Sequence, residues 1–422
     1  MADGNEHGET QVQRSETGAR MSRRPSFKRI FYAASAGNLI GAHRSWRGGT
    51  YDPTEVSLTF SSQVEQFCAE AGTKAYLLAN HGDPQTIVDG DFTLEHRPKT
   101  AKHGIAFHLG EISYAWSLVK TARRFDADVA LIDSGVVHYF LLSLFRLFGI
   151  AVVPVLHNTV WPAGYPPQRR MARVVQMIDR LLFWRRCPLA VIAVSPECER
   201  QADALAPGHR YPVVQIRAQF RSDYFEPIAP ADWDKRPFTM LFIGRLTEYK
   251  GVLDIAHMAR RIEDQHPGLV RWIICGRGPA SDQLATLRDR LNLHEVIDLK
   301  GWTSLEDLQS IYSTAHACIV PTRSNYAEGL AMTTAEAVLA GRPFVSNPVV
   351  PGSEVLADAC VTARTDDIVS HADAVLQLAS NKNFYEEKVE GARRTGRMFL
   401  DRSLGLTAGL HKIRGYALNR RL

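Results

Sequence analysis

Four apolar residues, Ala317-Cys318-Ile319-Val320, are followed by Pro321, a polar loop, and an apolar stretch that stops at Gly341-Arg342-Pro343. A buried strand closed by proline, then a helix ended by Gly-x-Pro, is a strand–loop–helix unit. Chains built from such units fold as parallel α/β sheets. This unit carries two glutamates, Glu328 and Glu336, with seven residues between them. Glu328 falls on the loop at the strand's C-terminal end. Glu336 falls about two turns into a helix expected over 330–340. The amides between them form a helix N-terminus, which attracts anions. One carboxylate at the mouth, one beside the anion and amides between them suit a sugar nucleotide.

The preceding segments repeat the pattern. Phe238 to Ile243 reads as a strand, followed by Gly244-Arg245-Leu246-Thr247-Glu248-Tyr249-Lys250-Gly251 and a helix from Val252. Arg245 brings a planar fork and Lys250 a point charge to one loop, a combination suited to a diphosphate. A further strand, Val270 to Cys275, runs into Gly276-Arg277-Gly278-Pro279, and a helix is expected around Leu305–Tyr312. Taken singly, each feature has an ordinary reading as a tight turn or a solvated charge. Taken in order at strand ends, they mark the ligand edge of an α/β sheet. Gly276-x-Gly278 is not a dinucleotide fingerprint, because Ser281 stands where its third glycine belongs.

Gly-Arg-Leu-x3-Lys-Gly, then Gly-x-Gly-Pro, then Glu-x7-Glu resemble, in this order and spacing, the retaining family 4 glycosyltransferases of the GT-B fold. The resemblance covers residues 238–380 well and the N-terminal half loosely. It implies two Rossmann-like α/β domains facing each other across a donor-binding cleft. It further implies that Arg245 and Lys250 neutralise the leaving nucleoside diphosphate, Glu328 contacts the donor sugar and Glu336 holds the nucleotide ribose. Gly329, Leu330, Ala331 and Gly276 then border the donor. The family usually reads Glu-Gly-Phe-Gly after the first acid, whereas this chain has Glu-Gly-Leu-Ala. Family members also carry a glycine pair near the donor phosphates, for which Gly48-Gly49 is the candidate. His157, after the strand Ile150–Leu156, resembles the family histidine that faces the donor sugar.

A chain of 422 residues, 45% hydrophobic, is long enough for two cores. The expected organisation is a disordered extension over 1–25, an acceptor-side α/β domain over 26–220 and a linker over 221–237. A nucleotide-sugar domain over 238–401 follows, then a helix over 402–422 crossing back to the first domain, a habit of the GT-B fold. Met21, just before the first strand, is an alternative start. The six cysteines are scattered singly with no Cys-x-x-Cys pair, which argues for a reducing compartment and against structural zinc. No secretory h-region is present, so the expected location is cytoplasmic.

In the N-terminal half, the first strand is expected to feed a long loop, Gly37 to Tyr51, before a helix starting near Asp52-Pro53-Thr54-Glu55. His43, Arg44, Trp46 and Arg47 on that loop are candidate acceptor contacts. Val136–Phe148 reads as one buried helix. Asp89-Gly90-Asp91 and Asp126-Ala127-Asp128 match Asp-x-Asp but lack a second ligand set. The Arg245/Lys250 loop already supplies the charge a metal would bring, so no metal and no cofactor is expected.

Arg169 to Arg186 places Met171, Val174, Val175, Ile178, Leu181 and Leu182 at helical spacing among six arginines, with Asp179 alone opposing them. A basic amphipathic helix with aromatics at its end fits an anionic membrane surface. The net charge of +5 also permits nucleic acid, but no nucleic-acid motif stands out. The reading is a retaining transferase moving sugar from a nucleoside-diphosphate sugar to a hydroxyl of a lipid-linked or polysaccharide acceptor. The alternatives are a nucleotide-sugar epimerase or hydrolase of the same fold, or a catalytically silent subunit.

Overall fold

The computed structural model describes residues 25–100 and 103–419. The extension before Pro25, with Met21, lies outside the described residues. The described chain forms two large sheets and a short ribbon. In the first sheet the strands are β1 (Arg29–Ala34), β3 (Lys74–Ala79), β4 (Gln85–Asp89), β5 (Phe92–His96), β6 (Val129–Asp133), β7 (Ala151–Leu156), β8 (Val191–Ala193) and β9 (Val213–Gln215). Their order is β4-β5-β3-β1-β6-β7-β8-β9, all neighbours parallel except the antiparallel pair β4/β5. The second sheet holds β11 (Phe238–Ile243), β12 (Val270–Cys275), β13 (Ile297–Gly301), β14 (Ala317–Val320), β15 (Phe344–Ser346) and β16 (Cys360–Thr362). It is wholly parallel, in the order β13-β12-β11-β14-β15-β16. The strands β2 (Ser57–Leu58) and β10 (Gln219–Phe220) pair with each other.

The central strands are buried along their whole length. Every residue of Val129–Asp133 and of Ala317–Val320 is buried, as expected for parallel strands covered by helices on both faces. Phe31, Phe67, Phe145, Phe183 and Trp184 fill the first core, and Phe238, Trp272, Ile274 and Tyr385 the second.

The segment after β1 differs from the long loop expected there. Leu39–Arg47 is a helix, capped by the Asn38 side chain accepting from the Gly41 amide at 2.9 Å and closed at Gly48. Leu39, Ile40, Ala42 and His43 face inward, and this spacing is the signal that Asn38, Gly41 and the run Arg44–Arg47 obscure. The helix expected at Asp52 is absent. Asp52 instead accepts from the Thr54 amide at 2.9 Å and its hydroxyl at 2.7 Å, a side-chain-capped turn. The next helix is Phe60–Ala71, with Thr59 as N-cap. The buried helix expected over 136–148 is a 3₁₀ turn, Tyr139–Leu142, running into a short helix, Ser143–Leu147.

The last helix, Leu406–Asn419, packs on Phe60–Ala71 of the first sheet. Gln63 receives the Leu406 amide at 2.9 Å, and Glu70 lies 2.7 Å from His411. Arg200 of the first half and Glu354 of the second form a two-pronged pair at 2.9 and 2.5 Å.

Candidate donor site

Both sheets reverse their direction of winding once, and the site lies at those reversals. In the second sheet β11 and β14 are adjacent, with β12 and β13 on one side and β15 and β16 on the other. In the first sheet β1 lies between β3 and β6. Loops leaving neighbouring strands at such a reversal diverge to opposite faces and leave a crevice at the strands' C-terminal ends.

Lys250 comes from the loop after β11 and Glu328 from the loop after β14. The two form an ion pair, in which Glu328 also accepts from the Thr322 hydroxyl at 3.1 Å. Glu328 is buried and Lys250 half-buried. A carboxylate with a cation and a hydroxyl on one oxygen keeps its second oxygen for a ligand. The Lys250 ammonium also stands 4.9 Å over the Tyr326 ring, which stacks on Tyr249 at 4.4 Å. Arg245 is exposed on the same loop and enters no ion pair among the described residues. It is therefore an unspent cation at the crevice, as is Arg277 on the loop after β12.

The two sheets meet here by backbone contact. The Glu328 carbonyl accepts from the Thr159 amide at 3.1 Å. A Cβ built on Gly329 would fall inside the van der Waals radius of the His157 carbonyl oxygen and 3.2 Å from Val194. Glycine is required at 329 because the other half of the molecule occupies the side-chain position. Gly276 is constrained in the same way. Its φ is +136°, and a Cβ there would strike the Gly244 carbonyl, so the loops after β11 and β12 lie against each other.

His157 sits opposite Glu328, after β7. Its Nε2 is 2.7 Å from Asp133 Oδ1, but the angle is wrong for a hydrogen bond. Both ring nitrogens are buried without a hydrogen-bond partner among the described residues. Asp133 spends its other oxygen on the Tyr32 hydroxyl at 2.9 Å, and Phe60 lies against the imidazole at 4.3 Å. With Nε2 against Asp133, the Nδ1 atom is the ring nitrogen left for a ligand hydroxyl to complete.

Glu336 lies on the helix Met332–Leu339, beneath Leu330 and beside the Tyr312 hydroxyl at 3.4 Å. Burial, with the nearby Glu55 adding repulsion, pushes its carboxyl up to about 7. Sequence reading did not foresee Glu55, which sits in the turn before β2 and reaches this site only through the fold. Ala331, just before the helix, has φ +67°. That backbone region suits glycine, which explains why a Gly is usual there in the resembled pattern and why Ala331 stores strain.

The remaining expected positions fall elsewhere. Gly48 and Gly49 close the helix Leu39–Arg47 and are not the turn before Phe60–Ala71, where Thr59 caps the helix and Phe60 lies against His157. His43 is a buried structural residue. Its Nδ1 meets Glu65 at 2.5 Å and its Nε2 meets Asp89 at 3.0 Å; burial lowers its pKa, but the two carboxylates together outweigh that and leave it raised. Arg47 pairs with the same Asp89 at 2.8 Å, and Arg44 is exposed on the helix surface. Trp46 does line a cavity of about 740 Å³, with Tyr51, Asp52, Gln63, Gln66 and Arg402 among its walls. Among the described residues no three His, Cys, Asp or Glu side chains gather as a metal site.

The glycosyl transferases group 1 family profile matches residues 237–381, which contain Arg245, Lys250, Gly276, Glu328 and Glu336. Residues 237–381 are thus a group 1 glycosyl transferase segment. An alpha-D-kanosaminyltransferase of Streptomyces kanamyceticus is 23% identical over 281 residues, 61% of this chain and 69% of that protein. An amylovoran biosynthesis glycosyltransferase of Erwinia amylovora is 30% identical over 115 residues, 26% of this chain and 28% of that protein. Among solved structures, sucrose-phosphate synthase from Thermosynechococcus elongatus superposes with a TM-score of 0.68 at 15% identity, covering 93% of this chain and all of that one. Anabaena HepE in complex with UDP gives a TM-score of 0.61 at 14% identity, covering 93% and 100%. These structural similarities establish the GT-B fold of this chain.

Proposed function

We propose that this glycosyltransferase moves a sugar, with retention at the anomeric carbon, from a nucleoside-diphosphate sugar to an acceptor hydroxyl. The observation that carries the reading is the Lys250–Glu328 pair at the β11/β14 reversal, with Gly329 pressed on His157 of the other sheet. In this reading Arg245 and Lys250 take the diphosphate, the amides after Glu328 assist them, and Glu336 takes the ribose. Glu328 and the His157 imidazole hold sugar hydroxyls. Preorganised cations at the leaving group would supply much of the rate gain.

The bond from the anomeric carbon to the phosphate oxygen breaks while a bond to the acceptor oxygen forms on the same face. The acceptor's proton passes to the departing phosphate. No acid/base pair is needed, in keeping with the charge that Arg245 and Lys250 supply. Closure of the two halves around the donor would exclude water. That HepE, of the same fold, was solved in complex with UDP supports a nucleotide ligand here. The cavity beside Trp46 and Tyr51 supports an acceptor on the first-sheet side, and a lipid-linked or polysaccharide intermediate is the acceptor class we infer.

The test is donor turnover with and without acceptor. Glu328→Ala and Lys250→Ala are each expected to lower transfer at least a hundredfold, the usual scale for removing one preorganised charge at a developing anion. Near wild-type rates in both variants would refute the assignment. Turnover that proceeds equally without any acceptor would favour a hydrolase.

A further inference from the structure

Two helices of the first half carry apolar stripes that nothing in the fold covers. On Gly104–Arg124, Ile105, Leu109, Ile112 and Trp116 recur at steps of four, three and four, which is one helix face. All four are exposed, Ile105 by 80% and Leu109 by 63%. On Arg170–Asp179 and the turn that follows, Met171, Val174, Met177, Leu181 and Leu182 are exposed, Met171 by 69%. Val175 and Ile178, by contrast, are partly buried, so the domain packs only part of this helix's apolar face.

The stripes are neighbours. Phe107 and His108 of the first helix meet His138, with ring centroids at 5.7 and 5.2 Å, and His138 stacks on Phe140 at 5.6 Å. Asp179 of the second helix accepts from the Phe140 amide at 2.8 Å. Both helices therefore flank the same short segment, and Leu147, 76% exposed, projects from the helix that follows it.

The charges around this patch have one sign. Arg169, Arg170, Arg173, Arg180, Arg185 and Arg186 are all exposed, and none enters an ion pair among the described residues. The acids on the two helices are spent inside. Glu111 is buried against Lys99 at 2.5 Å, and Asp179 is buried on the Phe140 amide, with its carboxyl raised to about 6 by burial. So many exposed large apolar side chains on two neighbouring helices are uncommon on a monomer. A two-fold contact with a second copy would set arginines against arginines with no carboxylate to meet them. A nucleic acid would leave the apolar centre unmatched. An anionic bilayer surface satisfies both parts at once, since the stripes enter the acyl boundary and the arginines meet the headgroups.

We infer that the joint surface of Gly104–Arg124 and Arg170–Trp184 docks this enzyme on an anionic membrane leaflet. The inference deepens the lipid-linked acceptor reading, because docking would bring the cleft to a substrate held in that leaflet. No described helix is long and apolar enough to cross a membrane, and the docked geometry needs none.

The test is co-sedimentation of the full chain with vesicles of phosphatidylcholine alone and of phosphatidylcholine mixed with phosphatidylglycerol, without donor. Binding is expected to the mixed vesicles only. Each arginine near such a surface contributes about fivefold, so Arg170→Ala/Arg173→Ala should weaken partitioning about twenty-fivefold. Ile105→Ser/Leu109→Ser should weaken it as well, with thermal midpoints unchanged because all four positions are exposed. Absence of binding, equal binding to neutral vesicles, or binding that both variants retain in full would overturn the inference. So would a wild-type dimer in sedimentation velocity that Ile105→Ser/Leu109→Ser dissociates. Vesicle binding that persists while nucleotide binding fails would count against the transferase assignment and leave the docking surface standing.

Discussion

Glu336 gives the sharpest coupling between stability and function in this structure. Burial and Glu55 raise its carboxyl from 4.5 to about 7. That difference corresponds to about 3 kcal/mol, at about 1.4 kcal/mol for each tenfold. The folded-state value lies above the unfolded one, so the folded protein binds the proton more tightly. Stability is therefore greatest below about pH 4.5, falls as pH rises from there to about 7, and stays reduced above. Glu336→Gln keeps the shape and the contact to the Tyr312 hydroxyl but removes the titration. Denaturant unfolding of the C-terminal half should show the variant close to wild type at pH 5. At pH 8 it should be more stable by up to about 3 kcal/mol. The same substitution should weaken nucleotide binding, because ribose hydroxyls donate best to an ionised carboxylate. A stability difference of the same size at pH 5 and pH 8 would refute the burial argument.

Other substitutions probe the same geometry. Gly329→Ala places a methyl group against the His157 carbonyl, so small-angle scattering should show the halves spread apart, with transfer lost and nucleotide binding kept. Ala331→Gly relieves the backbone at φ +67° and should raise stability by about 0.5–1 kcal/mol, once glycine's greater freedom in the unfolded chain offsets part of the gain. A thermal midpoint at or below wild type would contradict that. Arg200→Ala breaks the pair with Glu354 across the two halves, but both side chains are about half exposed. It should cost less than about 1 kcal/mol and respond to salt. A larger loss would mean that this pair holds the closed arrangement together.

The second sheet was legible in the sequence because its signals are local. The strands β11, β12 and β14 are apolar runs closed by Gly244, Gly276 and Pro321, and Lys250 and Glu328 follow β11 and β14, so their meeting in one crevice comes from the adjacency of those strands. The segment after β1 was not legible. Asn38, Gly41 and the Arg44-Ser45-Trp46-Arg47 run resemble loop chemistry, and the inward turn of His43 depends on Glu65 and Asp89, both distant in sequence. The glycine pair at 48–49 looked like a phosphate turn, whereas it ends an inserted helix. Glu55 opposite Glu336 is another contact between distant segments that no spacing rule encodes. Residues 136–148 have the apolar content of one helix, but they bend into a 3₁₀ turn at Tyr139–Leu142, where Asp179 takes the Phe140 amide. The exposed stripe on Arg170–Asp179 was readable from its periodicity. Its partner on Gly104–Arg124 was not, because Phe107, Tyr114 and Leu118 add apolar residues around the rest of that helix.

The central claim is a nucleoside-diphosphate site built from Arg245, Lys250 and Glu336. The most direct measurement is a thermal-shift titration of the full chain with UDP, GDP and ADP in the presence of a metal chelator. The account predicts stabilisation by one of the three, amounting to about 2.7 kcal/mol at a hundredfold excess over Kd, and its loss in Arg245→Ala and in Glu336→Ala. No stabilisation by any nucleotide at millimolar concentration, or an equal shift in both variants, would contradict it.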